Sequence, residues 1–281
     1  MTAICIVWGF TFVAGKAGVN EFPPIFFTGL RFVLLAAVLA PFLKPVKGQM
    51  ANIVLVSATM GSIHFALFFT GLMLSENVSV VAVAVQLGVP FATLLSVFFL
   101  GERIGVWRVL GIGLAFAGVM IIGFDPAGLA DLDGLVLVLL AAFAAAIGTV
   151  VMRRMRNVGV FQLQAWVAML SWPVLFALSA LGEGGQMAAI QEASWRGWGG
   201  VLYTAFGASL FGHAGMFYLL QRYEVSQTAP LTLLAPVFGM IFGITIWGDE
   251  LTLRIFIGSM TTLLGVLIIA LRKKEIVDTG P

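Results

Sequence analysis

The chain has 281 residues, of which 60% are hydrophobic and only 10% are charged, and its formal net charge is +2. Its mean hydropathy is +1.07. A soluble domain of this length needs far more polar residues to cover its surface, so this composition excludes a soluble globular protein and indicates an integral membrane protein.

Apolar runs recur from end to end, and each is long enough, at about 17 to 23 residues, to cross a bilayer as a helix. The sequence predicts an all-α protein with ten spans, at about 2–18, 25–43, 51–73, 77–100, 105–123, 133–152, 159–181, 197–219, 225–247 and 253–271. The first run lacks a basic leader and carries Lys16, which favours a span over a cleaved signal peptide. Every predicted connection is short, so no soluble domain is left for an active site and we expect no enzyme.

Lysine and arginine residues collect in alternate connections. Eleven of the fifteen fall on one side: Lys44, Lys47, Arg103, Arg108, Arg153, Arg154, Arg156, Arg222, Arg272, Lys273 and Lys274. The positive-inside bias places that side, and with it both termini, in the cytoplasm. We therefore expect a multi-pass protein of a bacterial inner membrane, surrounded by lipid.

One motif occurs twice. The stretches "GERIGVWRVLGIGLAFAGV" (101–119) and "GDELTLRIFIGSMTTLLGV" (248–266) each set an acid after a glycine, with further glycines nine and sixteen residues later. The copies divide the chain into 1–124 and 132–274, with five predicted spans in each half. An odd number of spans inverts the second half, and inverted repeats place a binding site near the midplane and allow alternating access.

This pattern resembles the drug/metabolite transporter superfamily, in its EamA-type ten-helix branch. The resemblance is carried by "VWGFTFVAGKA" (7–17), "LRF" (30–32), a proline before each acidic turn and the paired glycines. It implies two inverted five-helix repeats around a central cavity, and a small organic metabolite as substrate. Amino-acid exporters of the YddG type look most similar, which implies neutral or aromatic amino acids. We expect a monomer without cofactor or metal that binds no nucleic acid.

Four residues of the predicted fourth and ninth spans are candidates for the transport path. An offset of 146 residues pairs Pro90 with Pro236 and Gln86 with Thr232. A proline inside a span frees a carbonyl and bends the helix, so both prolines are predicted break or gating points. A mid-membrane glutamine needs a partner, and Gln86 is predicted to line the substrate cavity with Thr232. The alternative is a hydrogen bond between helices.

The two histidines, His64 and His213, fall on the equivalent third and eighth spans and are also candidates for the cavity. The alternative is a satisfied buried histidine, and two histidines with one cysteine are too few for a metal site. Tyr203 and Tyr218, on the same span as His213, are predicted to add aromatic walls and hydroxyls to the cavity.

Three further residues are candidates for the substrate cavity: Trp8, Lys16 and Trp166. Trp166 lies deep enough to face the cavity, and Trp8 has no repeat mate because Ile147 stands where a second tryptophan would be. Lys16 is a candidate to attract a substrate carboxylate, or it snorkels to the interface. Arg31, the other cation inside a span, is expected to fix helix packing.

Every acidic residue maps to a connection, a helix end or the C-terminal tail. Glu102, Asp249 and Glu250 lie at predicted helix starts and are expected to cap helices and form turns. Carriers coupled to protons or sodium commonly keep a carboxylate inside the membrane, so its absence favours a facilitator. The alternatives are a proton-coupled multidrug or metabolite exporter that uses a histidine and, more distantly, a channel.

The inverted arrangement predicts where single cysteines react. A cysteine in 153–157 is expected to react with an impermeant reagent only from the cytoplasm, and one in 125–131 only from outside. Labelling of both positions from one side of the membrane contradicts the predicted topology.

Overall fold

The computed structural model describes residues 1–124, 132–220 and 230–271, apart from the side chains of Ala214, Phe217, Tyr218, Leu220 and Pro230. These residues form helices, and no strand occurs among them. In chain order the helices are α1 Thr2–Val19, α2 Pro24–Leu39, α3 Met50–Leu74, α4 Val78–Leu100, α5 Val106–Gly123, α6 Leu132–Arg154, α7 Val160–Gly182, α8 Gln186–Glu192, α9 195–220, α10 Leu231–Trp247 and α11 Leu253–Leu271. The predicted connection 125–131 and the start of the predicted span 225–247 lie outside the described residues.

Eight of the described helices, α1 to α7 and α11, can cross a membrane by length and composition. Over its described residues α10 is apolar but shorter, and α9 is built from three consecutive helical segments. Helices are expected in lipid because the backbone must satisfy its N–H and C=O groups internally. The prediction of an all-helical membrane protein is confirmed, while the count of ten spans stays a prediction.

Two clusters of buried apolar side chains hold the helices together. The larger cluster includes Phe69 of α3, Val81 of α4 and Ile255 of α11. The smaller cluster joins α2, α7 and α9 through residues such as Leu35 and Leu175. Both clusters therefore connect helices that precede residue 125 with helices that follow residue 131.

The first glycine of each repeated motif ends a helix. Gly101 ends α4 and Gly248 ends α10, and both have a left-handed backbone, with φ of +66° and +84°. Glycine is favoured there because it adopts this conformation without steric cost. The acid that follows donates its backbone N–H back into the helix, Glu102 N to Ser96 O at 3.3 Å and Asp249 N to Gly243 O at 3.1 Å. The two copies thus form the same turn.

The paired glycines of the two motifs pack against each other where α5 meets α11. A Cβ atom added at Gly118 would lie 2.5 Å from the carbonyl oxygen of Gly258, and one added at Gly258 would lie 2.6 Å from that of Gly118. Gly111 and Gly265 are related in the same reciprocal way, at 2.8 and 2.5 Å. Small residues at these points let two antiparallel backbones touch.

Each of Pro90 and Pro236 follows a short 3₁₀ turn in its helix. A proline has no N–H to donate to the carbonyl four residues earlier, which belongs to Gln86 in α4 and to Thr232 in α10. Because the regular helix cannot continue there, the backbone tightens on the N-terminal side of each proline. The irregular turns therefore place these two polar side chains at equivalent points of two helices.

The two histidines each follow a π-helical segment. Ser57–Ile63 precedes His64 in α3, and Tyr203–Gly212 precedes His213 in α9. π segments break the regular hydrogen-bond pattern of an α-helix and occur frequently at functional sites. The irregularity is shared by α3 and α9, which occupy equivalent places in the predicted repeat.

The glycine contact between α5 and α11 predicts a matched pair of stability effects. The Gly118→Ala substitution is expected to lower the free energy of unfolding by about 1–3 kcal/mol, because its methyl group meets backbone and Thr262 on α11. The Gly113→Ala substitution on the same helix has no neighbouring atom within 4 Å, so it is expected to be neutral or slightly stabilising.

Thermal unfolding of the two purified variants in detergent tests this prediction. Equal melting temperatures for Gly118→Ala and Gly113→Ala contradict the close packing.

Candidate functional site

A cavity of about 700 Å³ lies between α4, α5, α6, α10 and α11. Gln86 and Thr232, the predicted polar pair, both line it. Thr93 and Thr149 add two hydroxyls, each of which donates to its own helix, to Val89 O at 2.9 Å and to Ala145 O at 2.8 Å respectively. The lone pairs of these hydroxyls remain as acceptors, so the cavity offers neutral polar groups on an apolar wall. The two threonines are polar positions inside predicted spans that the sequence analysis did not single out.

The cavity extends to the end of the bundle where α4 and α6 end and α5 begins, which we call the open face. Glu102, Arg108 and Arg153 line it there. Arg153 Nη1 lies 3.6 Å from Glu102 Oε2 and donates to Ser96 Oγ at 2.9 Å. The mouth of the cavity therefore carries charges of both signs.

At the opposite end, which we call the capped face, Asp249 binds the start of α4. Its Oδ1 accepts from Val78 N at 3.1 Å, and its Oδ2 accepts from Ser79 N at 2.6 Å and from Ser79 Oγ at 2.5 Å. Gly243 makes room for this contact, since a Cβ atom there would lie 2.3 Å from the carboxylate. A carboxylate at a helix N-terminus satisfies unpaired N–H groups and the helix dipole. Asp249 was expected to cap at a helix start, and the helix it caps belongs to the first half of the chain.

Two other acids cap helices on this face in the same way. Glu183, at the end of α7, accepts from Ile25 N at 2.7 Å and Phe26 N at 2.9 Å at the start of α2. Glu21 accepts from the backbone N–H of Ser194 at 2.5 Å and from its hydroxyl at 2.7 Å, just before α9. The helix ends of the capped face are therefore tied to one another by charged hydrogen bonds, while the cavity opens at the other end.

Lys16 belongs to the same set of contacts. Its Nζ donates to Leu72 O at 2.9 Å, Met73 O at 2.8 Å and Ser75 O at 2.7 Å, at the end of α3. The side chain is buried, and a cation at a helix C-terminus is favoured by the helix dipole. In this structure Lys16 thus holds α1 against α3, and its predicted place in the substrate cavity stays a prediction.

Trp8, Tyr203 and His213 meet where α1 packs on α9. The Trp8 Nε1 donates to Ala208 O at 3.2 Å, and its ring lies edge-on to His213 with centroids 5.8 Å apart. The Tyr203 hydroxyl donates to Val7 O at 2.9 Å. These side chains form one aromatic and polar group that does not line the 700 Å³ cavity.

The remaining predicted residues lie apart from this group. The His64 Nδ1 is 2.8 Å from Ala141 O on α6, so His64 links α3 to α6. Trp166 donates from Nε1 to Lys44 O at 3.0 Å, near the end of the bundle that carries the open face. Tyr218 lies on the last segment of α9, and its side chain is outside the part of the chain that the structure describes. Their assignment to the substrate path stays a prediction.

Comparisons with known proteins give a consistent result. Residues 1–124 and 132–271 match the EamA-like transporter family. A "Probable amino-acid metabolite efflux pump" of Escherichia coli (strain K12) is 28% identical, over 99% of this chain and 96% of that protein. A protein of the same description from Salmonella typhimurium is 29% identical, over 94% and 91%. An "Uncharacterized transporter" of Archaeoglobus fulgidus is 28% identical over 95% of each chain.

The fold is also found among solved structures. One crystal structure aligns with a TM-score of 0.62 at 18% identity, over 95% of this chain and 93% of the other. At this identity the similarity shows a shared fold along the whole chain.

The Asp249 contact predicts that the capped face is closed. In a chain with Cys5 replaced by alanine and a cysteine in place of Gln86, an impermeant thiol reagent added outside is expected to react slowly. The Asp249→Asn substitution is expected to speed that reaction at least about tenfold, because it removes a charged hydrogen-bond acceptor worth roughly 1.5–3 kcal/mol.

The Glu192→Gln substitution, which alters an exposed acid of α8, is the matched control and is expected to leave the labelling rate unchanged. External labelling that is already fast with Asp249 in place contradicts the closure.

Proposed function

The chain belongs to the EamA-like transporter family, and we propose that it exports small organic metabolites, above all neutral and aromatic amino acids, by alternating access. It is a multi-pass membrane transporter and not an enzyme, as the sequence resemblance predicts. We place it in the bacterial inner membrane with both termini in the cytoplasm, because the basic residues collect on that side.

The cavity between the two halves of the chain carries this proposal. Its volume of about 700 Å³ lies within the range of about 300–1,000 Å³ that is common for small-molecule sites. Gln86 comes from the first half and Thr232 from the second, and each stands four residues before a proline. A cavity with an amide, hydroxyls and a mouth of mixed charge favours a zwitterion such as an amino acid.

We propose that the chain forms ten membrane spans, arranged as two inverted repeats of five helices. The reciprocal packing of Gly118 with Gly258 and of Gly111 with Gly265 supports the repeat, because two copies of one motif related by a twofold axis meet in this way. The matching left-handed glycine turns, 3₁₀ turns and π segments support it further.

Alternating access is supported by the different surroundings of two equivalent acids. Asp249 holds the start of α4 on the capped face, whereas Glu102 lies at the mouth of the cavity beside Arg153. If the halves are related by a twofold axis, a second state exchanges these two settings. The present structure then corresponds to the state that opens to the cytoplasm.

The proposed direction of transport and the proposed substrate class rest on the names of relatives, and the passive mechanism rests on the residues inside the spans. Relatives that cover nearly the whole chain are named amino-acid metabolite efflux pumps, and export of the same class is the simplest extension to this protein. A passive mechanism is favoured because no acid lies in the middle of a predicted span. A carrier accumulates a solute only if a second bound species biases which face opens.

Transport assays in proteoliposomes test the proposal. Amino acids, sugars, nucleosides and cationic drugs are compared under inside-acid, inside-alkaline and symmetric buffers. Saturable flux of neutral amino acids down their gradient in all three buffers is expected. Accumulation under one pH gradient, abolished by His64→Ala, supports the proton-coupled alternative instead, and flux that does not saturate supports a channel.

The polar pair predicts a loss of transport without loss of stability. The Gln86→Ala and Thr232→Ala substitutions are each expected to reduce transport about tenfold, because one hydrogen bond to the substrate is worth roughly 0.5–1.5 kcal/mol. Thr245→Ala, which alters an exposed threonine of the same α10 helix, is the control and is expected to leave transport unchanged.

Initial rates and melting temperatures are measured on the same preparations. A variant of Gln86 or Thr232 that only lowers the melting temperature shows a bond between helices and contradicts the cavity role.

A further inference from the structure

Arg31 of α2 is a buried cation with most of its hydrogen-bonding capacity unused. Its side chain is 3% exposed, and Nη2 donates to Ser209 Oγ of α9 at 2.6 Å. Neither Nε nor Nη1 has a hydrogen-bond partner. The ring of Phe65 lies over the guanidinium, with its centroid 4.1 Å from Cζ. Cζ also lies 5.5 Å and 5.8 Å from the ring centroids of Phe32 and Phe69. The guanidinium is therefore packed among aromatic rings, while two of its donor atoms have no hydrogen-bond acceptor.

Among the described residues, no ion pair joins Arg31 to a carboxylate. A buried cation is costly inside a membrane unless an anion or several acceptors compensate it. Lys16 shows the compensated case, because three carbonyls surround its ammonium. Arg31 instead has one hydroxyl acceptor and aromatic neighbours, so two donor atoms of its guanidinium remain for an incoming anion.

A second residue that contacts Ser209 carries an unused acceptor. Gln164 of α7 donates from Nε2 to Ser209 O at 2.9 Å, so it is bound to the same residue as Arg31. Its Oε1 is buried and has no hydrogen-bond partner. Two guanidinium nitrogens that lack acceptors and an amide oxygen that lacks a donor match the two ends of an α-amino acid, the carboxylate and the ammonium.

The residues around Ser209 are less buried than Arg31 itself. Phe65 and Gln164 are only half-buried, and His213, one turn beyond Ser209 on α9, is exposed. The π segment that contains Ser209 ends just before His213, so this stretch of α9 departs from a regular helix. The ring of Phe65 packs on the guanidinium, so a carboxylate can reach Nε and Nη1 only if the aromatic rings around them move.

We propose that Arg31 and Gln164 form a recognition subsite for the transported amino acid, in which Arg31 binds the α-carboxylate and Gln164 Oε1 binds the α-ammonium. The subsite rests on the proposed function and narrows it to substrates that carry a free carboxylate. It is distinct from the lining of the 700 Å³ cavity, and substrate reaches it as the bundle changes state.

Selectivity between close analogues tests the subsite. The probes are L-phenylalanine, L-phenylalaninamide, which has no carboxylate, and 3-phenylpropionate, which has no ammonium. Apparent Kd values are measured from ligand-induced shifts in melting temperature, and uptake is measured in proteoliposomes. Wild type is expected to prefer the amino acid over the amide at least about tenfold, because charge-assisted bidentate bonds to Arg are strong.

The Arg31→Gln substitution is expected to reduce the acid-over-amide ratio, the affinity for phenylalanine divided by that for phenylalaninamide, to about one. The Arg31→Lys substitution is expected to keep part of this ratio. Gln164→Leu is expected to reduce the preference for phenylalanine over 3-phenylpropionate and to leave the acid-over-amide ratio intact. The ratios report recognition even where a variant is less stable, since both probes are measured on the same protein. Arg196→Gln, which removes an exposed cation, is the control for loss of charge.

The outcomes separate the subsite from the proposed function. Binding of 3-phenylpropionate that depends on Arg31, without transport of any amino acid, supports the subsite and contradicts the function. Amino-acid transport with an unchanged acid-over-amide ratio in Arg31→Gln supports the function and overturns the subsite. If Lys16→Gln abolishes the acid-over-amide ratio and Arg31→Gln does not, the substrate carboxylate binds at Lys16, and this result also overturns the subsite. A wild type that does not distinguish the amide from the acid, or binds no carboxylate, overturns it as well.

Discussion

A helix end inside a membrane-embedded bundle leaves N–H or C=O groups that need partners within the protein. On the capped face these partners are charged side chains from other helices, and the bond between Asp249 and the start of α4 connects the two halves of the chain. Glu183 and Lys16 add similar bonds at the start of α2 and the end of α3. These bonds hold the helix ends of one face together, and Glu102, Arg108 and Arg153 line the cavity at the other end of the bundle.

The same turn has different partners on the two faces of the bundle, and the proposed alternating access depends on this difference. Both acids follow a left-handed glycine, yet Asp249 caps a helix while Glu102 lies beside Arg153 at the cavity mouth. The glycine contact between α5 and α11 brings the two backbones together in a reciprocal way. In the proposed mechanism this closely packed contact is the pivot, because it keeps the two halves in contact when their far ends exchange partners.

The sequence predicts the helical membrane fold and the polar pair of the cavity, because both depend on local patterns. Apolar runs set the helices, and the shared position before a proline links Gln86 to Thr232. Lys16 and Arg31 show the limit of such patterns. Each is a cation near the predicted external end of its span, but three carbonyls at the end of α3 surround Lys16, whereas Arg31 donates to one hydroxyl of α9. Those partners are set by packing between distant helices, and no short motif records them.

The most direct test of the central claim, an alternating-access carrier for amino acids, is a counterflow measurement in proteoliposomes. Vesicles are loaded with unlabelled L-phenylalanine and diluted into a trace of the labelled compound, with equal pH on both sides. An alternating-access carrier is expected to raise internal label transiently above the external concentration, since outgoing substrate returns the site for incoming label. Label that enters at the same rate with and without internal phenylalanine, and never exceeds equilibrium, contradicts the account.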